Sequence, residues 1–160
     1  MRMGERVEWA LHCCFNLGFV GPDVAVTAAR LAAFHGLPAA YLNKQLQAMA
    51  RAGIVESSQG PGGGFRLARS PQQITLMDVV TAIEGPDPAF RCTEIRERGP
   101  AGMWGTSQRA CTIDAAMRQA DLAWRRSLAG QTVADLMATF QNTYPAMPDR
   151  IKDWFTTAHA

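Results

Sequence analysis

The sequence predicts a mainly α fold with a small β-ribbon and one long helix standing apart, and three stretches carry that expectation. From Thr27 to Gly53 two helical patterns are separated by a short turn, Gly36-Leu37-Pro38. From Ile54 to Arg69, IVESSQ-GPGGG-FRLAR, two β-prone runs flank a tip that suits glycine, because tight ribbon turns demand positive φ and close backbone approach. From Thr112 to Leu128 apolar residues recur at helical spacing. The order helix, turn, helix, ribbon is that of a winged helix-turn-helix, which lays one helix in the DNA major groove. The expected architecture is that domain plus a long dimerisation helix.

With 48% hydrophobic and 19% charged residues, the chain is globular rather than disordered. Its N-terminus carries charge where a signal peptide needs an apolar core, and no apolar run is long enough to span a bilayer. A cytoplasmic protein with no membrane contact is expected. The net charge of +2 is unevenly placed: Arg30, Lys44, Arg51, Arg66 and Arg69 face Glu56 alone between residues 24 and 69. That segment is a phosphate-contacting face or merely a solvated basic surface. In a reducing cytosol Cys13, Cys14, Cys92 and Cys111 are expected as buried thiols, metal ligands or redox centres, not structural disulfides. No nucleophile–base motif, dinucleotide fingerprint or HExxH zinc helix occurs, so an enzyme is not expected.

The first helix is expected from Gly4 to Leu17, with Val7, Leu11, Cys14 and Phe15 facing the core and Gly18, Gly21 and Pro22 ending it. Glu8 and His12 are one turn apart and project together, as an exposed pair or as ligands. Cys14 falls on the apolar stripe as a small hydrophobe, and Cys13 is a candidate redox thiol. Thr27 caps a helix over Ala28–Phe34 that Gly36 ends, with His35 structural or phosphate-facing in the corner. After Pro38, Leu42, Leu46 and Met49 make one stripe, while Ala40, Lys44, Gln47 and Arg51 share the opposite face. Tyr41 and Asn43 near its start complete a recognition helix: asparagine pairs with adenine N6 and N7, lysine with guanine or phosphate, tyrosine with phosphate or a thymine methyl. The glycine tip is not a nucleotide loop, because Phe65-Arg66 follow it instead of Lys-Ser/Thr. Thr75 to Asp78 opens a capped helix with Val79, Val80 and Ile83 inward, and Gly85, Pro86 and Pro88 close a first domain over residues 1–85.

Residues 86–111 show no periodicity, a length at which loops are usually functional or disordered, and Cys92 and Cys111 bracket them. The helical region 112–141 carries Ile113, Met117, Ala120, Trp124 and Leu128 as a stripe that packs against its twin in a homodimer or against its own domain. Thr132 to Phe140 continues helically, and residues 142–160 read as a weakly ordered tail in which His159 carries no inference.

Taken together, TAARLAAFHGLPAAYLNKQLQAMARAGIV, GPGGGF, ITLMDVVTAIEG and a cysteine-bearing loop before a long helix resemble the iron–sulfur winged-helix regulators that include IscR, NsrR and RirA. The resemblance covers roughly residues 1–140. It implies a homodimer on palindromic double-stranded operators, with Tyr41, Asn43 and neighbouring Ala40 and Lys44 at the major groove; Gln47, on the polar face with Ala40 and Lys44, is a DNA-binding candidate from the helical pattern. It places the wing from Gln59 to Gly64, including Gly62 and Gly63, at the minor groove; Gln59 stands where relatives often carry an arginine. Many relatives have three closely spaced loop cysteines, whereas this loop offers only Cys92 and Cys111. A 2Fe–2S cluster needs four protein ligands. The set Glu8, His12, Cys92 and Cys111 resembles that of RsrR-type redox sensors, whose cluster is held by Glu and His of one subunit and two Cys of the other. Trp9, beside that pair, matches as a neighbour of the cluster. Zinc on the same four residues, a metal-free regulator, and a winged helix that binds protein rather than DNA stay open beside that reading.

Overall fold

A computed structural model of the chain describes residues 4–105 and 110–157; His159 lies outside them. Helix α1, Glu5–Val20, is the central element, and Val7, Ala10, Cys13, Cys14, Leu17 and Val20 bury one flank of it. It runs past Gly18, expected as a stop, because that glycine is where Met137 comes close: a methyl there would lie 2.5 Å from its Sδ. Gly21, at φ 93°, is the true terminator.

Two short helices pack on α1 and on each other. Thr27 Oγ1 accepts the Arg30 N–H at 3.2 Å and starts α2, Ala28–His35, which the left-handed Gly36 ends. Helix α3, Ala39–Arg51, buries the expected stripe of Leu42, Leu46 and Met49 completely. The chain then forms a two-stranded antiparallel ribbon of β1, Val55–Ser58, and β2, Gly64–Leu67, with Val55 opposite Leu67 and Ser58 opposite Gly64. The ribbon is tied to the start of the helix-turn-helix, since Val26 and Phe65 exchange backbone bonds of 2.9 and 2.8 Å.

Helix α4, Leu76–Glu84, begins with a full capping box: Thr75 and Asp78 bond each other's backbone N–H at 2.9 and 3.0 Å. The loop that follows holds a 3-10 turn at Ile95–Glu97 and one helical turn, α5, Gly99–Gly102. Then comes α6, Thr112–Ala129, starting directly after Cys111. A second capping box, Thr132 with Asp135, begins α7, Val133–Thr143. The starts of α4 and α7 lie side by side, because Leu76 N–H donates to Gln131 O and Val133 N–H to Ile74 O, both at 2.9 Å.

The structure corrects the expectation of a loose tail. Residues Met147–Thr156 form α8, with Ile151 and Phe155 buried in the same core and Trp154 packed against it. Their spacing of i, i+3 and i+4 is one helical face, enough to order a short segment once α1 and α2 offer an apolar surface. Helix α6 is the opposite case. None of its residues is buried, and Ile113, Met117 and Leu122 stay exposed, although the helix touches α4.

Candidate DNA interface and sensor residues

The outward face of α3 is built by its inward one. With Leu42, Leu46 and Met49 locked in the core, helical geometry turns Ala40, Tyr41, Asn43, Lys44, Gln47 and Arg51 to the surface, where all six are exposed; Tyr41 is 65% exposed. Gln45, unassigned from the sequence, is buried and donates its amide to Tyr41 O. At the ribbon tip Gln59 and Gly62 are exposed and Gly63 is half-buried. Gly63 tolerates no side chain there, for a methyl would sit 2.4 Å from Ser58 O.

The basic stretch is not one phosphate-facing surface. Arg66 pairs with Glu56 across the ribbon, and Arg69 bonds Gly53 O at 3.1 Å and Gln73 O at 3.2 Å. Arg30 bonds two carbonyls of the α8 end, those of Trp154 and Thr157. Lys44 and Arg51 on α3 are the cations of the stretch without such partners among the described residues.

The candidate ligands fall into two pairs. Glu8 and His12 share the exposed side of α1, on the wall of a cleft of about 660 Å³ between α1 and α7. The rest of that wall is mostly apolar, with Val7, Leu11, Phe15, Leu136, Phe140 and Tyr144. Leu11 and Phe15, expected in the core, thus line this cleft and are half-buried. The His12 ring stands 5.1 Å from that of His35 at the end of α2, and His35 Nε2 is 2.8 Å from the buried Asn16 amide. Burial, and secondly His12, hold His35 below the ordinary histidine range. This polar link was missed in the sequence; its trace was Asn16, a polar residue one turn beyond His12 on the inward flank.

Cys92 and Cys111, both half-buried and free of any disulfide, come together at the start of α6, with a hydrogen bond between their thiols. The Asp114 N–H, in the first turn of α6, leads the effects that pull Cys111 below the ordinary thiol value; Ile113 N–H, Arg96 and Cys92 act the same way against partial burial. For Cys92 the Glu94 N–H acts downward, but partial burial and the charges of Glu94, Cys111 and Asp114 outweigh it and push the thiol up. Among the described residues, no group of three or more His, Cys, Asp or Glu is placed to hold a metal, so the two pairs do not meet within one chain. Cys13, expected as a possible redox thiol, is fully buried and pushed up to about 12 by that burial, which leaves it inert. Cys14 is likewise buried, and its thiol donates to Met49 Sδ at 3.6 Å, joining α1 to α3. Trp9 is half-buried against the core beside Glu8.

A helix-turn-helix with an exposed polar face on its second helix and a ribbon at its side defines a winged-helix DNA-binding protein. Residues 3–139 match the Rrf2 family, described as iron-dependent transcriptional regulators, and the chain belongs to that family. It is 36% identical to protein aau3 of Rhizobium meliloti over 86% of this chain and 85% of that one. It is 34% identical to the HTH-type regulator BadM of Rhodopseudomonas palustris over 52% of this chain, and spans only 53% of that relative's length. Among solved structures, IscR of T. potens is similar with a TM-score of 0.69 at 17% identity, over 90% of this chain and 91% of that one. CymR of B. subtilis, the global cysteine regulator, is similar at 0.66 and 22% identity, over 87% of this chain and 98% of that one. These likenesses show the winged-helix fold. The protein is a DNA-binding transcriptional regulator and not an enzyme. Among the described residues no helix is long and apolar enough to cross a membrane.

Proposed function

We propose that the protein is a homodimeric, cytoplasmic redox sensor that binds palindromic double-stranded operators and holds a 2Fe–2S cluster at each of two shared sites. Each site takes Glu8 and His12 from one subunit and Cys92 and Cys111 from the other. The observation that supports this most is the split itself. Each ligand pair is gathered within the chain, the pairs lie apart, and each borders an apolar surface without a partner: the α1–α7 cleft beside Glu8 and His12, and Ile113 and Met117 on α6 after Cys111. A second copy that seats its α6 against the cleft satisfies both surfaces in one isologous contact. The donor set fits the cluster in kind: two thiols, an imidazole and a carboxylate supply the four ligands required.

Bound there, the cluster supplies a one-electron redox centre, with a potential raised by the imidazole relative to an all-thiolate set. The chain supplies the path to DNA. His12 leans on His35 of α2, and Cys14, on the buried flank, touches Met49 of α3, so the helix that carries Glu8 and His12 is in contact with both helices of the reader. Tyr41, Asn43, Lys44 and Gln47 contact the major groove with Ala40 closely apposed, and Gln59, Gly62 and Gly63 lie at the minor groove. Redox state controls binding only if its two forms fit DNA differently.

The test is subunit complementation. One chain carries Glu8→Ala with His12→Ala, the other Cys92→Ser with Cys111→Ser, and the two are co-expressed and purified anaerobically as a mixed dimer. Shared sites leave one intact, so iron, acid-labile sulfide and visible absorption return at about half the wild-type level in the mixed dimer and vanish in both variant homodimers. No recovery in the mixed dimer refutes sharing. Zinc without sulfide, or no metal in the wild type, replaces the cluster with the zinc or metal-free regulator. Equal affinity of oxidised and reduced wild-type protein for a selected operator duplex rejects redox control.

A further inference from the structure

We propose that α8 is a clasp that locks the first DNA-reading helix, α2, to α1, and that Arg30 serves this clasp rather than a DNA phosphate. The family match ends at residue 139, so α8 lies wholly beyond it, while every element of the winged helix lies within it. The clasp thus stands outside the segment that forms the winged helix.

Two sets of contacts hold it. On the apolar side, Phe34 of α2 packs against both Trp154 and Phe155, each ring 4.9 Å away, and Ile151 and Phe155 are buried in the core shared with α1. One short helix thus touches the sensor helix and the reader helix together. On the polar side, the last turn of any helix leaves carbonyls without intrahelical partners. Arg30 meets that need. Its Nη2 donates to Trp154 O at 2.6 Å and also to Thr157 O, and its guanidinium stands 5.6 Å from the centre of the Trp154 ring. The positive group sits at the negative end of the α8 dipole, where a cation is favoured. Both bonds come from the one Nη2, which leaves the planar guanidinium to lie against the indole, a stacking that the compact ammonium of lysine does not reproduce.

Arg30 would otherwise be read as a phosphate contact, because it lies in the first turn of α2 within the locally basic stretch. To reach DNA it must give up both carbonyls and the ring. Arg51, on α3 and without such partners among the described residues, is the better phosphate contact and serves as the internal standard.

The experiment uses the full-length protein purified anaerobically and a duplex recovered with it by in vitro selection from a randomised pool. Affinity is measured as a function of salt for Arg30→Met, Arg30→Lys, Trp154→Ala and Arg51→Met, with hydrogen exchange on each. Counterion release makes the salt slope count phosphate contacts, at about 0.9 per contact. The clasp predicts that Arg51→Met lowers the slope by about one, whereas both Arg30 variants and Trp154→Ala leave it unchanged. All three of these weaken binding about tenfold and lose at least tenfold protection over residues 28–36 and 147–157. Arg30→Lys keeps the charge, so its likeness to Arg30→Met separates a geometric role from an electrostatic one. The proposal is overturned if Arg30→Met lowers the slope by about one while Arg30→Lys restores it. It is overturned equally if Trp154→Ala tightens binding with a steeper slope, the mark of a helix that withholds Arg30 from DNA, or if residues 28–36 keep wild-type protection in every variant.

Discussion

The wing makes the sharpest claim on its glycines, and Gly64→Ala tests it. Gly64 has φ 152°, and a methyl group on it would lie 2.5 Å from the carbonyl carbon of Val26 and 2.6 Å from its oxygen. Both are far inside van der Waals contact and both are backbone atoms, so no side chain can rotate away. The chain at Val26 must retreat, and with it go the two backbone bonds that Val26 exchanges with Phe65. A side chain forced into a glycine-only region costs about 1–3 kcal/mol, and each lost backbone bond about 0.5–1.5 kcal/mol net. A loss of about 3 kcal/mol corresponds to a fall of about 6–12 °C in Tm for a chain of this size. The control is two residues away: Gly62 has nothing within 4 Å of such a methyl and is not in the positive-φ region, so Gly62→Ala should hold stability within about 0.5 kcal/mol. Differential scanning calorimetry on the two variants decides it. A Gly64→Ala protein that melts within 1–2 °C of wild type (roughly 0.5 kcal/mol) refutes the close approach of the ribbon to the start of the helix-turn-helix.

Two further outcomes follow from particular residues. Ile113→Glu places a charge in the exposed α6 stripe (Ile113 is 65% exposed within one chain) and should convert a dimer to folded monomer in sedimentation velocity; an unchanged dimer constant removes α6 from the interface. Asp135 is held below the ordinary carboxylate value, first by the Thr132 hydroxyl and then by the Thr132 N–H. A depressed folded pKa means that its contribution is fully present above the unfolded carboxylate value and is lost as pH falls through the lowered one. Asp135→Ala should therefore melt below wild type at neutral pH and converge with it in acid; a gap that persists at the lowest pH assigns the effect to something other than the carboxylate.

What was legible in the sequence was local chemistry with few partners. Thr27 and Thr75 cap, Gly36 ends α2, and Leu42, Leu46 and Met49 face inward, because a cap, a left-handed residue or an apolar stripe is decided within one turn of helix. Tertiary contact decided the rest. Gly18 reads as a stop until Met137 is found against it, and α8 reads as tail until Phe34 is found against both Trp154 and Phe155. Arg30 and Arg69 read as surface charge, yet they bond carbonyls 124 and 16 residues away, pairings no local pattern encodes. The candidate ligands divide the same way. Cys92 and Cys111 have eighteen residues between them and no repeat there, and only the folded loop brings their thiols together. Glu8 and His12 are one turn apart and needed only helical geometry.

These contacts converge on α1. Its Cys14 touches the recognition helix through Met49, and its Asn16 holds the end of α2 through His35. It packs on α8, which clamps α2 again through Phe34 and Arg30, and it forms one wall of the cleft that carries Glu8 and His12. A close-packed helix of this kind moves as a unit, because packed interfaces shift between discrete arrangements instead of deforming smoothly. On the proposed reading, whatever the partner subunit and its two thiols do at the cleft wall is felt at α2 by two routes and at α3 by one. The second route to α2 is the one that the family match does not include. If α8 were absent, Asn16 to His35 would be the hydrogen bond that ties α1 to α2 among the described residues, and a shift of α1 could be absorbed there by a side-chain rotation. With Phe34 gripped from the far side and Arg30 fixed to two carbonyls, that slack is removed. The role of α8 is thus to make the reader follow the sensor helix.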